Sequence, residues 1–139
     1  MLTHTRLSSI FVLDQDAALE FYVDVLGLEV HTDADLGFMR WLTVCVPGDR
    51  DRQILLERPG APSMDEATAA QVRDLLTKGA AGGWIALSTD EPQALYDQLV
   101  AKGVDITDEI SPKSYGTDFG IRDPFGNRLR IGQTNDRFA

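Results

Sequence analysis

The hydrophobic positions in the first part of the chain change period twice, from strand to helix and back to strand. The run SSIFVL is β-branched and aromatic and stops at the acidic DQD, which predicts a strand. Apolar residues are then spaced three and four apart from Leu19 to Leu26, which predicts a helix. Asp14 or Asp16 can cap this helix, and Gly27 can end it. Three more strands are predicted in the runs LEVHTDAD, GFMRWLTVCV and QILLE.

Residues 60–80 depart from this rhythm and predict one amphipathic helix that connects two halves of the chain. Ser63 and Glu66 have the spacing of a capping box, and acidic residues crowd the first turn. Lys78 and Gly79 are typical residues for the end of this helix.

The chain after this helix repeats its opening pattern. A shift of 76 residues places Asp90 on Asp14 and Gly103 on Gly27. We therefore expect a strand, an acid-capped helix, a glycine stop and a further strand. Two last strands, YGTDFGIRD and RLRI, then flank the turn DPFGN. The main architectural prediction is a duplicated unit of strand, helix and three strands.

This duplication predicts an α+β fold built from two βαβββ modules. We expect one domain over residues 1–139, with the first module at 1–59, the connector helix at 60–80, the second module at 81–133 and a tail at 134–139. A helix on one side of each sheet leaves the other side free to face its duplicate. The two sheets then form a cup-shaped open barrel whose cavity favours a small-molecule site.

The run YGTDFGIRDPFGNRLRI is similar to the F-x-D-P-x-G-N signature of the vicinal oxygen chelate superfamily. The runs FVLDQDAALEFYVDVLGLEV, ILLE and WIALSTD match other parts of that family, so the resemblance covers nearly the whole chain apart from the connector helix. This superfamily includes glyoxalase I, extradiol dioxygenases, and bleomycin- and fosfomycin-resistance proteins. The resemblance implies the glyoxalase/bleomycin resistance/dioxygenase fold and a homodimer. It does not imply one reaction, because the family hosts several chemistries and some members with none.

Metal-binding members of this family supply His, Gln or Glu from four inward positions. The resemblance places these positions at Leu7, Glu57, Trp84 and Arg130. Leu has no lone pair, the Trp indole only donates a hydrogen bond, and Arg is a permanent cation. Because one carboxylate is too few for a divalent ion, the sequence predicts no metal and no cofactor.

Arg128 and Arg130 alternate with Leu129 and Ile131, so both arginines point away from the apolar face of the last strand. The resemblance brings the last strands of the two modules together, so we expect Arg130 to pair with Glu57. One interpretation is that this pair only neutralises two charges. The other is that Arg130, with or without Arg128, presents its fork to a carboxylate, phosphate or enol oxygen of a ligand.

Aromatic residues on the predicted strands favour ligand binding. Strand alternation puts Ser9 and Phe11 inward and gives Met39 and Trp41 a shared face. The predicted ligand-binding residues are Ser9, Phe11, Met39, Trp41, Glu57, Trp84, Tyr115 and Arg130. Aromatic walls with a few polar groups suit a flat, conjugated or polycyclic compound. The alternative is that these side chains simply fill the barrel.

The composition of the chain further limits the classes of binding partner that we expect. The chain has 22 acidic and 13 basic residues and a net charge of −9, which argues against nucleic acid and anionic membranes. No run approaches the ~20 apolar residues of a membrane-spanning helix, and we expect a cytoplasmic protein. The single cysteine, Cys45, excludes an internal disulfide. His4 and His31 lie away from the positions that supply metal ligands in the family.

Three functions stay open on these grounds. A metal-free small-molecule binder, of the kind that sequesters drugs or natural products, is favoured by the missing ligands and the aromatic residues. A metal-dependent lyase, isomerase or dioxygenase is favoured by the resemblance but not by Leu7, Trp84 and Arg130. A metal-free enzyme with Glu57 as general base has no identifiable second catalytic group. The binder is our working hypothesis.

Overall fold

The computed structural model of the protein describes residues 1–135, which fall into two compact units. The first unit, Met1–Ala81, contains β1 (Leu7–Phe11), α1 (Gln15–Leu19) with a π-helical continuation (Glu20–Val25), β2 (Glu29–Asp35), β3 (Arg40–Cys45), β4 (Gln53–Glu57) and α2 (Glu66–Thr77). The second unit begins at Gly82 and contains β5 (Ile85–Ser88), α3 (Pro92–Ala101), β6 (Asp105–Lys113), β7 (Gly116–Arg122) and β8 (Arg128–Thr134). Thr134 of the expected tail still belongs to β8, and residues 136–139 lie outside the described residues. No helix within residues 1–135 is long and apolar enough to cross a bilayer.

The two sheets have the same topology. Their strand orders are β1-β4-β3-β2 and β5-β8-β7-β6. In each sheet the first strand runs parallel to the last, and the other neighbours are antiparallel. This confirms the predicted α+β fold with two βαβββ modules.

Alternating burial in the second sheet separates a core face from a polar face. Leu129 and Ile131 of β8 are 1% and 2% exposed, whereas Arg130 between them points to the opposite face. On the core face Tyr96 of α3 packs edge-on against Phe119 of β7, with ring centroids 5.2 Å apart. The helix therefore covers one face of the sheet, and Arg130 projects from the opposite face.

The first helix differs from the predicted one in its winding. After Leu19 it widens into π geometry, in which the Leu26 amide donates to the Phe21 carbonyl at 2.9 Å. Phe21 and Tyr22 are both buried, and their rings meet edge-on with centroids 5.0 Å apart. The wider turn reduces the angle between consecutive side chains, so two adjacent aromatic residues can both reach the core.

The caps of the duplicated helices are not duplicated. Asp14 caps α1 as predicted, because its Oδ1 accepts the Ala17 amide at 2.8 Å. The prediction that Asp90 caps the second helix is wrong: α3 begins at Pro92 after Glu91, which gives no side-chain cap. Proline at the start of a helix has no amide to satisfy and a preset φ, so this helix needs a cap less.

The cap of α2 also differs from the prediction. Asp65, not Ser63, is the N-cap, and its Oδ1 accepts the Thr68 amide at 2.8 Å. This bond from the Thr68 backbone lowers the pKa of Asp65. Ser63 Oγ instead donates to the Gly60 carbonyl at 3.1 Å, and Glu66 pairs with Arg73. The predicted capping box is wrong because the helix begins later, at Glu66.

We predict that Asp14→Ala lowers the free energy of unfolding by about 1 kcal/mol, because it removes the N-cap acceptor. Asp90→Ala is the matched control, since the repeat aligns Asp90 with Asp14 but Asp90 caps no helix among the described residues. Urea unfolding followed by circular dichroism measures both variants. Equal losses for the two variants would contradict this assignment of the caps.

Candidate ligand-binding site

The turn between β7 and β8 fixes the position of the candidate site. Asp123 in this turn is 4% exposed. Its Oδ1 accepts the backbone amides of Phe125, Gly126 and Asn127 at 2.9, 2.9 and 2.8 Å. Its Oδ2 accepts the side-chain amide of Asn127 at 2.7 Å. The DPFGN motif is thus a self-bonded turn that holds β7 and β8 in register.

Arg130 extends from β8 across β7 toward β6. Its Nε and Nη2 donate to Asp118 Oδ2 and Oδ1 at 2.7 and 2.8 Å, which is a bidentate pair. Nη2 also donates to Asp108 Oδ2 at 2.7 Å. The guanidinium group of Arg130, which the sequence predicted to bind a ligand, therefore binds carboxylates of the protein itself.

Lys113 and Tyr115 complete this cluster. Lys113 Nζ lies 2.6 Å from Asp118 Oδ1 and 3.3 Å from Asp108 Oδ2. The Tyr115 hydroxyl donates to Asp118 Oδ2 at 3.0 Å. Asp108, Lys113, Asp118 and Arg130, here called the ion network, balance two positive charges against two negative ones.

The ion network shifts the acidity of each of its members. The hydrogen bond from Arg130 holds the pKa of Asp118 well below its ordinary value, outweighing the effect of burial. Arg130 and then Lys113 lower the pKa of Asp108. Asp118 in turn raises the pKa of Arg130. Burial alone lowers the pKa of Lys113, but its bonds to Asp118 and Asp108 outweigh burial and raise it. All four groups are charged at neutral pH.

Gly120 makes room for the arginine. It is the cross-strand partner of Arg130 and of Asp108. A Cβ at this position would lie 2.8 Å from Thr107 Oγ1 and 3.3 Å from Arg130 Nη1. A residue without a side chain therefore leaves space for the guanidinium to cross the middle strand.

A cavity of about 260 Å³ lies beside the ion network in the second unit. Trp84, Tyr115 and Arg130, three of the predicted binding residues, contribute to its lining. Trp84 directly precedes β5 and is 56% exposed. The cavity lies just below the ~300–1,000 Å³ typical of ligand pockets, so it suits a small molecule or one part of a larger one.

A second cavity, of about 490 Å³, belongs to the first unit. Its lining includes Met39, Trp41 and Glu57 from the predicted set. Ser9 Oγ donates to Glu57 Oε1 at 2.9 Å, so these two predicted residues are also in contact. Phe11 is half-buried and lies opposite Glu57 in the pairing of β1 with β4.

Sequence reasoning expected Glu57 and Arg130 to neutralise each other, and the structure gives each of them other partners. Glu57 accepts from Ser9, and Arg130 is already neutralised by Asp118 and Asp108 of its own sheet. Side chains on one face of adjacent strands are close enough to pair directly. The charge of Arg130 is thus balanced within its own sheet.

The residues that the resemblance places at the family's metal positions do not fit a divalent ion. Leu7 and Trp84 offer no donor, and Arg130 is a cation whose proton is held by two carboxylates. Glu57 is the single metal-compatible side chain of the four positions. Residues 1–135 hold no group of three or more His, Cys, Asp or Glu side chains placed to bind a metal.

Residues 2–131 match the Glyoxalase/Bleomycin resistance protein/Dioxygenase superfamily. The chain belongs to this superfamily, as its paired βαβββ units and its DPFGN turn indicate.

Individual relatives share most of the chain. The solved structure of UcmS2 has 35% identity and a TM-score of 0.89, covering 96% of this chain and 100% of its own. TnmS3, an antibiotic binding protein from Streptomyces sp. CB03234, has 28% identity and a TM-score of 0.76, covering 96% of this chain and 98% of its own. The uncharacterized protein YurT of Bacillus subtilis (strain 168) is 33% identical over 128 residues, which is 91% of this chain and 96% of YurT.

Sequence reasoning missed Asp108, Lys113 and Asp118, although they decide the state of Arg130. Asp118 alternates with buried Phe119 in β7, a pattern that also describes an ordinary surface carboxylate. The signal would have been the register of β6, β7 and β8, which places these residues on the face of Arg130.

We predict that Asp118→Asn lowers the free energy of unfolding by about 1–3 kcal/mol at neutral pH, because it weakens a charge-assisted pair. The pKa of Asp118 is depressed below its ordinary value of 3.8 in the folded protein. Its contribution is therefore fully present above about pH 4 and is lost as the pH falls further. Chemical unfolding at a series of pH values should show that the free energy of unfolding falls less steeply with acid in the variant than in wild type.

Asp105→Asn is the control for this experiment, because Asp105 is exposed on β6 and forms no ion pair with a described residue. It should keep the wild-type pH profile. If the free energy of unfolding falls equally steeply with acid in wild type and Asp118→Asn, the ion network does not contribute to stability.

Proposed function

We propose that the protein binds a small aromatic molecule without a metal ion and acts by enclosing it. The observation that carries this proposal is the state of Arg130. It stands at a metal-ligand position of the family, but it is a cation locked between Asp118 and Asp108. This chain lacks the ligand side chains that metal-binding family members use for their chemistry, but it has a cavity beside Arg130.

The cavity in the second unit supports an aromatic ligand. The ring of Trp84 contributes to it and is more than half exposed, so a large apolar face is available for stacking. Tyr115 and Arg130 add polar groups that can orient a ligand. Arg130 Nη1 donates no hydrogen bond to a described residue.

The relatives support the same function. TnmS3 is described as an antibiotic binding protein, and this chain is 28% identical to it over nearly the full length of both. By this similarity we extend the proposal to sequestration of a drug or natural product.

A metal-free enzyme with Glu57 as base is less well supported. Glu57 accepts a hydrogen bond from Ser9, whose hydroxyl is a poor proton donor at neutral pH. Neither group identifies a substrate or a second catalytic residue.

The two tryptophans allow a direct test of binding. In a Trp41→Phe background, Trp84 is the single tryptophan of the chain. We expect a compound from a panel of aromatic antibiotics and natural products to change its fluorescence, and chelator to leave this response unchanged. Trp84→Leu should weaken binding of that compound by about tenfold, the scale of a lost aromatic contact with its buried area.

Trp84→Phe is the matched control, because it keeps an aromatic ring and should keep most of the affinity, as calorimetry can measure. The proposal fails if no compound of the panel binds. It also fails if binding requires an added divalent metal.

A further inference from the structure

Two arginines of the second sheet, Arg122 and Arg128, lie outside the ion network. Arg122 ends β7 and Arg128 begins β8, and the two residues are direct cross-strand partners. Cross-strand partners project from the same face of a sheet, which here is the face of Arg130. The self-bonded turn around Asp123 holds the two strand ends together, so the two arginines are adjacent in the sheet.

Neither arginine is neutralised within residues 1–135. No described carboxylate forms an ion pair with Arg122 or Arg128. Asp105 is the partner of Arg122 on its other side, in β6, but it is exposed and stays outside ion-pair distance. The Nε of Arg122 is buried and has no hydrogen-bond acceptor among the described residues.

This arrangement of the two arginines is unfavourable for two reasons. Like charges directly opposite each other on adjacent strands repel. A buried N–H group without an acceptor forfeits the hydrogen bonds that it made with water. An anion between the two side chains would relieve the repulsion, because a guanidinium group matches the oxygens of a carboxylate, sulfate or phosphate.

Arg130 is a poor receptor for the same anion. Two of its three nitrogens are taken by Asp118 and Asp108, and these carboxylates repel a further negative charge. Arg128, two residues away on the same strand face, has no such neighbours in ion-pair distance. A negatively charged ligand group is therefore expected at Arg128 and Arg122.

An aromatic surface lies at the same level of the sheet. β5 runs parallel to β8 with Ile85 opposite Leu129. Extending this register back by one residue puts Trp84 level with Arg128, and Trp84 contributes to the lining of the cavity. A ligand whose rings stack on Trp84 can thus place a substituent over the two arginines.

We infer that Arg122 and Arg128 form an anion-binding site and that the ligand is an aromatic compound bearing a carboxylate, sulfate or phosphate group. The aromatic part of this inference rests on the proposed function. The anion site rests on the two arginines alone.

The test compares 2-naphthoate with 2-naphthamide by isothermal titration calorimetry. The two probes have the same rings and differ in charge. We expect the naphthoate to bind wild-type protein about tenfold more tightly, the effect of one charge-assisted hydrogen bond. Arg128→Gln and Arg122→Gln should each remove most of this preference, and Arg6→Gln, which deletes an exposed charge in the N-terminal segment, should retain it.

Stability separates a binding role from a structural one. Because Arg128→Gln relieves the repulsion, its thermal unfolding midpoint should equal or exceed that of wild type. Equal affinities of the two probes for wild-type protein would overturn the inference. So would a preference that survives in both Arg122→Gln and Arg128→Gln.

A second measurement keeps the anion site distinguishable from the proposed function. Inorganic sulfate is titrated into ¹⁵N-arginine-labelled protein, and the side-chain Nε–H resonances of Arg122 and Arg128 are followed. Sulfate shifts at these two resonances with no binding of either naphthalene probe would support the anion site and count against the proposed aromatic ligand. Absence of sulfate shifts at both resonances, with no charge preference in calorimetry, would overturn the anion site.

Discussion

The bidentate pair between Arg130 and Asp118 is the contact on which the second unit's site depends. It fixes a half-buried guanidinium in the middle of a sheet face that otherwise would carry an uncompensated charge. The same carboxylate also contacts Lys113 and Tyr115, so one aspartate of β7 holds groups from β6, from the turn that follows it and from β8. Gly120 supplies the space that this crossing requires. The result is a rigid polar wall whose charges cancel, beside a cavity with an exposed aromatic ring.

The two units share a topology and differ in the chemistry of their last strands. In the first unit Glu57 ends β4 and accepts from Ser9 on the neighbouring strand. In the second unit β8 carries Arg130, which binds two carboxylates. The two units therefore share a hydrogen-bonded frame, while Glu57 and Arg130 on their last strands carry charges of opposite sign. Family membership accordingly identifies the frame, and the function has to be inferred from these side chains.

The sequence predicts the frame well because the frame follows from local patterns. Alternating residues, helical spacing and the DPFGN turn each act over a few positions, and they locate β4 at QILLE without any tertiary information. Helix caps were less predictable, since Pro92 makes an acidic cap unnecessary and Asp65 competes with Ser63. Each of these outcomes depends on where the first turn begins.

The ion network could not be predicted from one sequence. Its members are separated by up to 22 positions along the chain, as for Arg130 and Asp108. They meet only through the strand register, which shifts along β6 between Ile106 and Asp108 and again before Ser111. Such irregularities change which side chains share a face. The sequence therefore indicated that Arg130 needed a carboxylate but did not identify Asp118 and Asp108 as its partners.

Metal content tests the central claim most directly, namely that Arg130 and its carboxylates have replaced a metal centre. Protein purified without chelator is incubated with Mn²⁺, Fe²⁺, Ni²⁺ or Zn²⁺, exchanged into metal-free buffer and analysed by mass spectrometry of the elements. We expect far less than one retained ion per chain for every metal, because the guanidinium group of Arg130 stands where a metal ligand would be needed. One tightly held ion per chain, with loss of stability on its removal, would contradict it.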